Sequence, residues 1–107
     1  MKNNNSEKDQ LVKGVLSLAV LSVLEKRELY GVELLTVLEN TPFRTQAGTL
    51  YPLLNKLHKH GFIKHRWQTS DFGPARKYYQ LSSNGKKHLK LLRTYWEDMT
   101  QVIKEQK

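Results

Sequence analysis

Apolar positions recur at helical spacing in four stretches of the chain and alternate with polar ones in a fifth. The first stretch is the densest. Leu11, Val12, Val15, Leu16, Leu18, Ala19, Val20, Leu21, Val23 and Leu24 cover nearly the whole circumference of a helix predicted over about Asp9 to Glu25, whereas a surface helix shows one stripe. Such a helix needs cover on two sides, and in 107 residues a second copy is the natural source of the second. Residues 1–8 (MKNNNSEK) are polar and unpatterned, which predicts a flexible N-terminal tail. A second helix is expected over about Val32 to Glu39, with Leu34, Leu35 and Leu38 inward, ended by Asn40-Thr41-Pro42. A third is expected over about Thr45 to His60, with an inward stripe of Leu50, Leu53, Leu54 and Leu57 and a stop at Gly61. Pro52 lacks an N–H and fits there if the first turn is irregular or the helix starts near Thr49.

Two strands follow, about Phe62 to Gln68 and Arg76 to Leu81, joined by Thr69 to Ala75, whose Asp, Gly and Pro are turn residues. The last helix opens on Ser82 as N-cap and runs to about Lys104. Along it Gly85, Leu89, Leu92, Trp96, Met99 and Ile103 are spaced four and three residues alternately, the repeat of helices that pair along their length. Leu91, Tyr95 and Val102 widen that face. Dimerisation is therefore expected through Leu11, Val15 and Leu18 of the first helix and Leu89, Leu92, Trp96, Met99 and Ile103 of the last. The predicted fold is mainly α with a two-stranded β-hairpin. It is a winged helix-turn-helix over residues 9–81, followed by a C-terminal dimerisation helix over residues 82–107.

The length and the 38% hydrophobic and 26% charged content fit a single folded domain. Without cysteine the chain has neither disulfides nor a thiolate zinc site, and a reducing cytoplasm suits it. The stretch from Leu11 to Leu24 is 14 residues long and interrupted by Lys13, Ser17 and Ser22, short of the roughly 20 apolar residues that span a bilayer.

Charge changes the picture most. The total is +8, yet Asn40 to Trp96 alone carries +10, with eleven Lys and Arg against the single acid Asp71. A one-sign field in a small domain is the footprint of a polyanion partner, since each cation that neutralises a phosphate releases counterions. The face of the third helix opposite its leucines holds Thr45, Thr49, Pro52, Asn55, Lys56 and Lys59, with no acid. In a helix-turn-helix that second helix enters the major groove. His58, His60, His65 and His88 lack the spacing of a metal site, no acid–base pair accompanies them, and neither catalysis nor a cofactor is expected.

The run Gly48-Thr49-Leu50-Tyr51-Pro52-Leu53-Leu54-Asn55-Lys56-Leu57, then Gly61-Phe62-Ile63, resembles the G-T-L-Y-P-x-L-x-R-L-x-x-x-G-L-I stretch of PadR-family transcriptional regulators. Tyr30-Gly31, Gly73-Pro74-Ala75-Arg76-Lys77-Tyr78-Tyr79-Gln80-Leu81 and Gly85 match that family in the same order. The single helix after the hairpin is similar to its small, multidrug-binding members. The resemblance implies a homodimeric repressor that binds double-stranded DNA at an inverted repeat. By that resemblance Trp96 either clamps a flat aromatic effector, lined by Val15, Leu18, Ser22, Leu92 and Met99, or simply fills the seam between two copies. Lys90 and Arg93 favour an anionic or neutral aromatic over a cationic drug. For DNA, Thr49 and Tyr51 are expected at phosphate or base edges, Asn55 at adenine, and Lys56 at guanine or phosphate. Arg76 and Lys77 are expected at the minor groove or flanking phosphates. Thr45 and Gln46 at the start of the third helix are also expected at DNA, and Arg44, Lys59, Lys64 and Arg66 are expected to add general attraction. The competing readings are a sequence-indifferent architectural DNA binder and a protein-interaction module.

Overall fold

The computed structural model describes residues 2–106. Its elements, in chain order, are α1 (Lys2–Lys26), β1 (Leu29–Tyr30), α2 (Gly31–Leu38), α3 (Ala47–Lys59), β2 (Ile63–Ser70), β3 (Gly73–Leu81) and α4 (Ser83–Glu105). Every element donates to one core: Leu16, Val20, Leu21 and Leu24 of α1, Leu29 of β1, Leu34 and Leu38 of α2, Leu50, Leu54 and Leu57 of α3, Ile63 of β2, Tyr79 and Leu81 of β3, and Leu89 of α4. No polar or charged residue is buried among the described residues. Burying one leucine stabilises a fold by about 1.5–3 kcal/mol, so apolar burial is the force that assembles these helices around the sheet.

The three strands form an antiparallel sheet in the order β1-β3-β2. The hairpin was readable in the sequence, but β1 is only Leu29–Tyr30, paired with Tyr79 and Tyr78, and is too short to leave a pattern. The hairpin is also longer than the alternation predicts. Its strands close on a two-residue turn at Asp71 and Phe72 between the paired Ser70 and Gly73, in place of a seven-residue loop from Thr69 to Ala75. An irregularity in register between Gln68 and Ser70 takes up the extra residue opposite them. Such a bulge is where a strand tolerates a proline such as Pro74.

The expected loose segment at residues 1–8 is helical from Lys2 onward, while Met1 lies outside the described residues. No glycine or proline precedes Gly14, so nothing stops the helix propagating outward from its apolar part. Helix α3 starts at Ala47, two residues later than predicted, and holds Pro52 in its second turn, where the missing N–H leaves the Gly48 carbonyl without its usual donor.

The joint between α3, β2 and α4 is tightly built. Gly61 takes φ +78°, which only glycine adopts cheaply. Its N–H then bonds to the His58 carbonyl (2.9 Å) and that of Phe62 to the Leu57 carbonyl (3.0 Å), closing α3. The Ser82 hydroxyl donates to the Gly61 carbonyl (2.6 Å) and accepts from the Gly85 N–H (2.9 Å), capping α4 onto the end of α3. The Ser82 N–H bonds to the Phe62 carbonyl (3.1 Å). Gly85 is buried there, and a Cβ on it would overlap the Phe62 carbonyl oxygen. Replacing Gly85 by alanine is expected to force this joint apart at a cost of about 2–3 kcal/mol, read as a fall in melting temperature of roughly 10 °C or more.

Candidate nucleic-acid interface

The leucines of α3 decide which of its side chains face outward. With Leu50, Leu54 and Leu57 buried, the opposite side leaves Gly48, Tyr51, Pro52, Asn55, Lys56, His58 and Lys59 exposed and Thr49 half-buried. This surface is basic and free of carboxylates. The N-terminal turn of α3 has Gln46 as its cap residue but no side-chain hydrogen bond across it, so its first N–H donors are open to an anion. Arg44, Thr45 and Gln46, placed in the preceding loop rather than in the helix, line one recess with Val32, Leu35, Thr36 and Glu39 of α2 and the residue after it.

The hairpin stands beside this face. Tyr51 of α3, Arg76 and Lys77 of β3, and Tyr30 and Gly31 at the start of α2 line a common cleft of about 220 Å³. The Arg76 guanidinium lies 4.7 Å from the Tyr30 ring centroid, and the Lys77 ammonium lies 5.6 Å from that of Trp67 and 5.8 Å from that of Tyr79. A Cβ on Gly31 would come within 2.7 Å of the Tyr51 ring, so this glycine makes room for the tyrosine. Burial, then the neighbouring Tyr51, pushes the Tyr79 hydroxyl above its ordinary pKa, keeping it neutral beside the cations. His65 packs behind the cleft against His58, ring centroids 4.4 Å apart, with its Nδ1 buried and unpartnered. Burial first, then Lys77 and His58, hold its pKa below the usual histidine value.

Arg66 departs from expectation. Its Nε and terminal nitrogen donate to both Glu28 oxygens, at 2.9 and 2.6 Å, so its charge is largely answered within the chain. Hydrogen bonding to Arg66 in turn holds the Glu28 carboxyl below the usual carboxylate range. Lys64, which neighbours Arg66 in β2, is exposed, as is Lys59.

The residues expected around an aromatic ligand lie together between α1 and α4, and one of their two cavities reaches Lys56 of α3. Val15, Leu18, Ser22 and Trp96 line a cavity of about 450 Å³ with Val37, Leu38 and Phe43, and Arg93 at its edge. Val15, Leu18, Leu92, Trp96 and Met99 line a second, of about 360 Å³, closed by Lys56, His60, Phe62 and His88. Ser22 donates its hydroxyl to the Leu18 carbonyl (2.7 Å), and Arg93 pairs with Glu25 at 3.0 Å, tying α4 to α1. Of the expected dimer residues, Leu11, Trp96, Met99 and Ile103 are exposed. Val15, Leu18 and Leu92 are half-buried, Leu18 and Leu92 against the protomer's own core, and Leu89 departs furthest from expectation. It is wholly buried in its own core and has no surface to offer a second copy.

A model of the PadR-like family of transcriptional regulators matches residues 20–91, from the last third of α1 through α3 and the hairpin into α4. The chain belongs to that family. A Streptococcus transcriptional regulator of known structure is 38% identical with a TM-score of 0.79, covering 90% of this chain and 95% of its own. A PadR family regulator from Eggerthella lenta is 27% identical with a TM-score of 0.90, covering 97% and 91%. A PadR-like regulator from Bacillus cereus is 32% identical with a TM-score of 0.81, covering 90% and 94%. This PadR-like chain is thus a DNA-binding transcriptional regulator with a winged-helix fold. Among the described residues no helix is long and apolar enough to cross a membrane.

Sequence reading passed over Gly48 as a functional position. Nothing in the fold lies within 4 Å of a Cβ placed there, and alanine is the better helix former by about 1 kcal/mol. Gly48→Ala is expected to raise stability by about 0.5–1 kcal/mol while weakening DNA binding, checked by thermal melts and a duplex titration on the same sample. Glu28→Gln is expected to free Arg66 and to steepen the salt dependence of DNA binding by up to about one unit of log K against log salt.

Proposed function

We propose that this regulator acts as a homodimeric repressor on an inverted-repeat operator, with an aromatic small molecule as its releasing effector. One observation carries the reading. Leu91, Tyr95, Trp96, Met99, Val102 and Ile103 of α4, with Leu11 of α1, stand 40–72% exposed, a broad apolar surface on a small chain. A surface of that kind marks an interaction site, and its alternation of three and four residues fits a helix of the same type. The radius of gyration of 15.6 Å exceeds the roughly 13 Å of a closed globule of this length, as a protomer with unpacked helix ends should.

Two copies would set two α3 helices in successive major grooves, about 34 Å apart. In this reading Tyr51, Asn55 and Lys56, with Thr49 at their flank, meet bases and phosphates. Arg76 and Lys77 meet the adjoining backbone, and Arg44, Thr45, Gln46, Lys59 and Lys64 add attraction around the rim. The effector would enter beside Trp96, where the two cavities share Val15 and Leu18. Its binding would change the distance between the reading heads.

Ile103 is 72% exposed, so replacing it by glutamate leaves the protomer core untouched. Ile103→Glu is expected to convert a dimer to a monomer in sedimentation equilibrium and to lower operator affinity by about a hundredfold, through loss of the second reading head. A wild-type chain that sediments as a monomer at the concentration where it binds DNA overturns the reading.

A further inference from the structure

The wing carries a feature that DNA attraction by charge does not use. Its outer half is exposed on both strands, and it ends in Phe72, 98% exposed at the tip of the two-residue turn, with Trp67 61% exposed on β2. The turn has no need of this ring. Ser70, Asp71, Gly73 and Pro74 already supply turn chemistry, and the backbone N–H of Phe72 bonds to the Ser70 hydroxyl (3.3 Å) whatever side chain it bears.

We propose that Phe72 is a wedge that enters the minor groove beside the major groove occupied by α3, unstacks one base step and bends the duplex. This rests on the DNA-binding reading of α3 and names what the wing adds to it. The occupant is set by charge and by continuity. Arg76 and Lys77 stand on β3 in the cleft shared with Tyr51 of α3, so the wing and the reading helix form one basic surface. Lys64 is exposed on the neighbouring strand. The body of a two-stranded ribbon is too wide for a minor groove about 6 Å across, so only the two-residue turn that carries Phe72 at its tip can enter it. Cations at the base of such an arm run along the phosphates, and an apolar ring at its end is the type of side chain that parts stacked bases. Asp71 is the one opposing charge on the hairpin. Its carboxylate, beside Phe72, opposes entry of the tip into a negatively charged groove, so the ring has to gain more by stacking than this charge costs. The step parted is expected to be a flexible pyrimidine–purine step such as TA or CA.

The test uses the full chain and a duplex it selects from a random pool, end-labelled for energy transfer to read the bend and carrying 2-aminopurine under the wing to read unstacking. The wild type is expected to shorten the end-to-end distance and brighten the probe. Phe72→Ala is expected to lose both signals and bind at least about fivefold more weakly, the low end of what one lost base–aromatic stack costs. Phe72→Leu, still apolar, keeps the bend. If the wild type binds without bending, or Phe72→Ala bends the duplex as well as the wild type, the wedge is overturned while the DNA-binding reading stands. If Phe72→Ala changes only the sedimentation of the protein, the ring serves a protein contact and the wedge is likewise overturned. A wild type that binds no duplex removes the DNA-binding reading itself.

Discussion

The rotation of α3 about its own axis is the constraint from which the interface follows. Leu50 and Leu54 are fully buried and Leu57 nearly so, together worth several kcal/mol of apolar burial. Turning the helix by one residue, about 100°, would carry Lys56 or Tyr51 into a core that buries no polar side chain. The penalty for burying an unpaired ammonium is far larger than anything the outer face could gain. The same three leucines therefore hold the fold together and keep Asn55, Lys56 and Lys59 outward. The uncapped start of the helix comes with them, because its position follows from where the leucines seat.

Charge is sorted by the fold in a way that the total does not reveal. The chain has acids just before and just after the basic middle, and two of those acids are spent on cations that would otherwise lie beside the helices. Glu25 holds Arg93 and Glu28 holds Arg66. Exposed pairs of this kind add little stability, but they remove positive charge from the flank of the hairpin and the side of α4. Among the described residues of that middle, the cations left unanswered are Arg44, Lys56 and Lys59 on and before α3, Lys64, Arg76 and Lys77 on the hairpin, and Lys86, Lys87 and Lys90 on the exposed side of α4.

The helices, the hairpin and the inward faces were legible because they depend on periodicity and on stop signals such as Gly61 and Asn40-Thr41-Pro42. The seam of α4 shows where that signal ends. Gly85, Leu89, Leu92, Trp96, Met99 and Ile103 form one unbroken repeat, yet Gly85 and Leu89 are buried in their own core while Trp96, Met99 and Ile103 are bare. A repeat reports that a helix has a partner along its length, not whose residues supply it. The Arg66–Glu28 pair joins positions 38 apart in sequence and leaves no local trace, so Arg66 read as a free cation. Gly48 was hidden for the opposite reason. That no neighbour in the fold requires a glycine there is visible only in the structure.

The joint around Gly61, Phe62, Ser82 and Gly85 bears on how any signal from α4 could reach DNA. Ser82 is hydrogen-bonded to Gly61, Phe62 and Gly85 at once, and the close approach at Gly85 allows no sliding between α4 and the start of β2. Phe62 also stacks on His88 with ring centroids 3.8 Å apart, which adds a second point of fixation one turn along α4. An element held at two points by packed, satisfied contacts moves with its neighbours rather than past them. Helix α4 is thus fixed to the C-terminal end of α3 within a protomer. In the proposed homodimer the compliance would then lie between copies, across the exposed half of α4. A ligand lodged beside Trp96 would then act by re-angling whole reading heads, and would leave each head's own geometry unchanged.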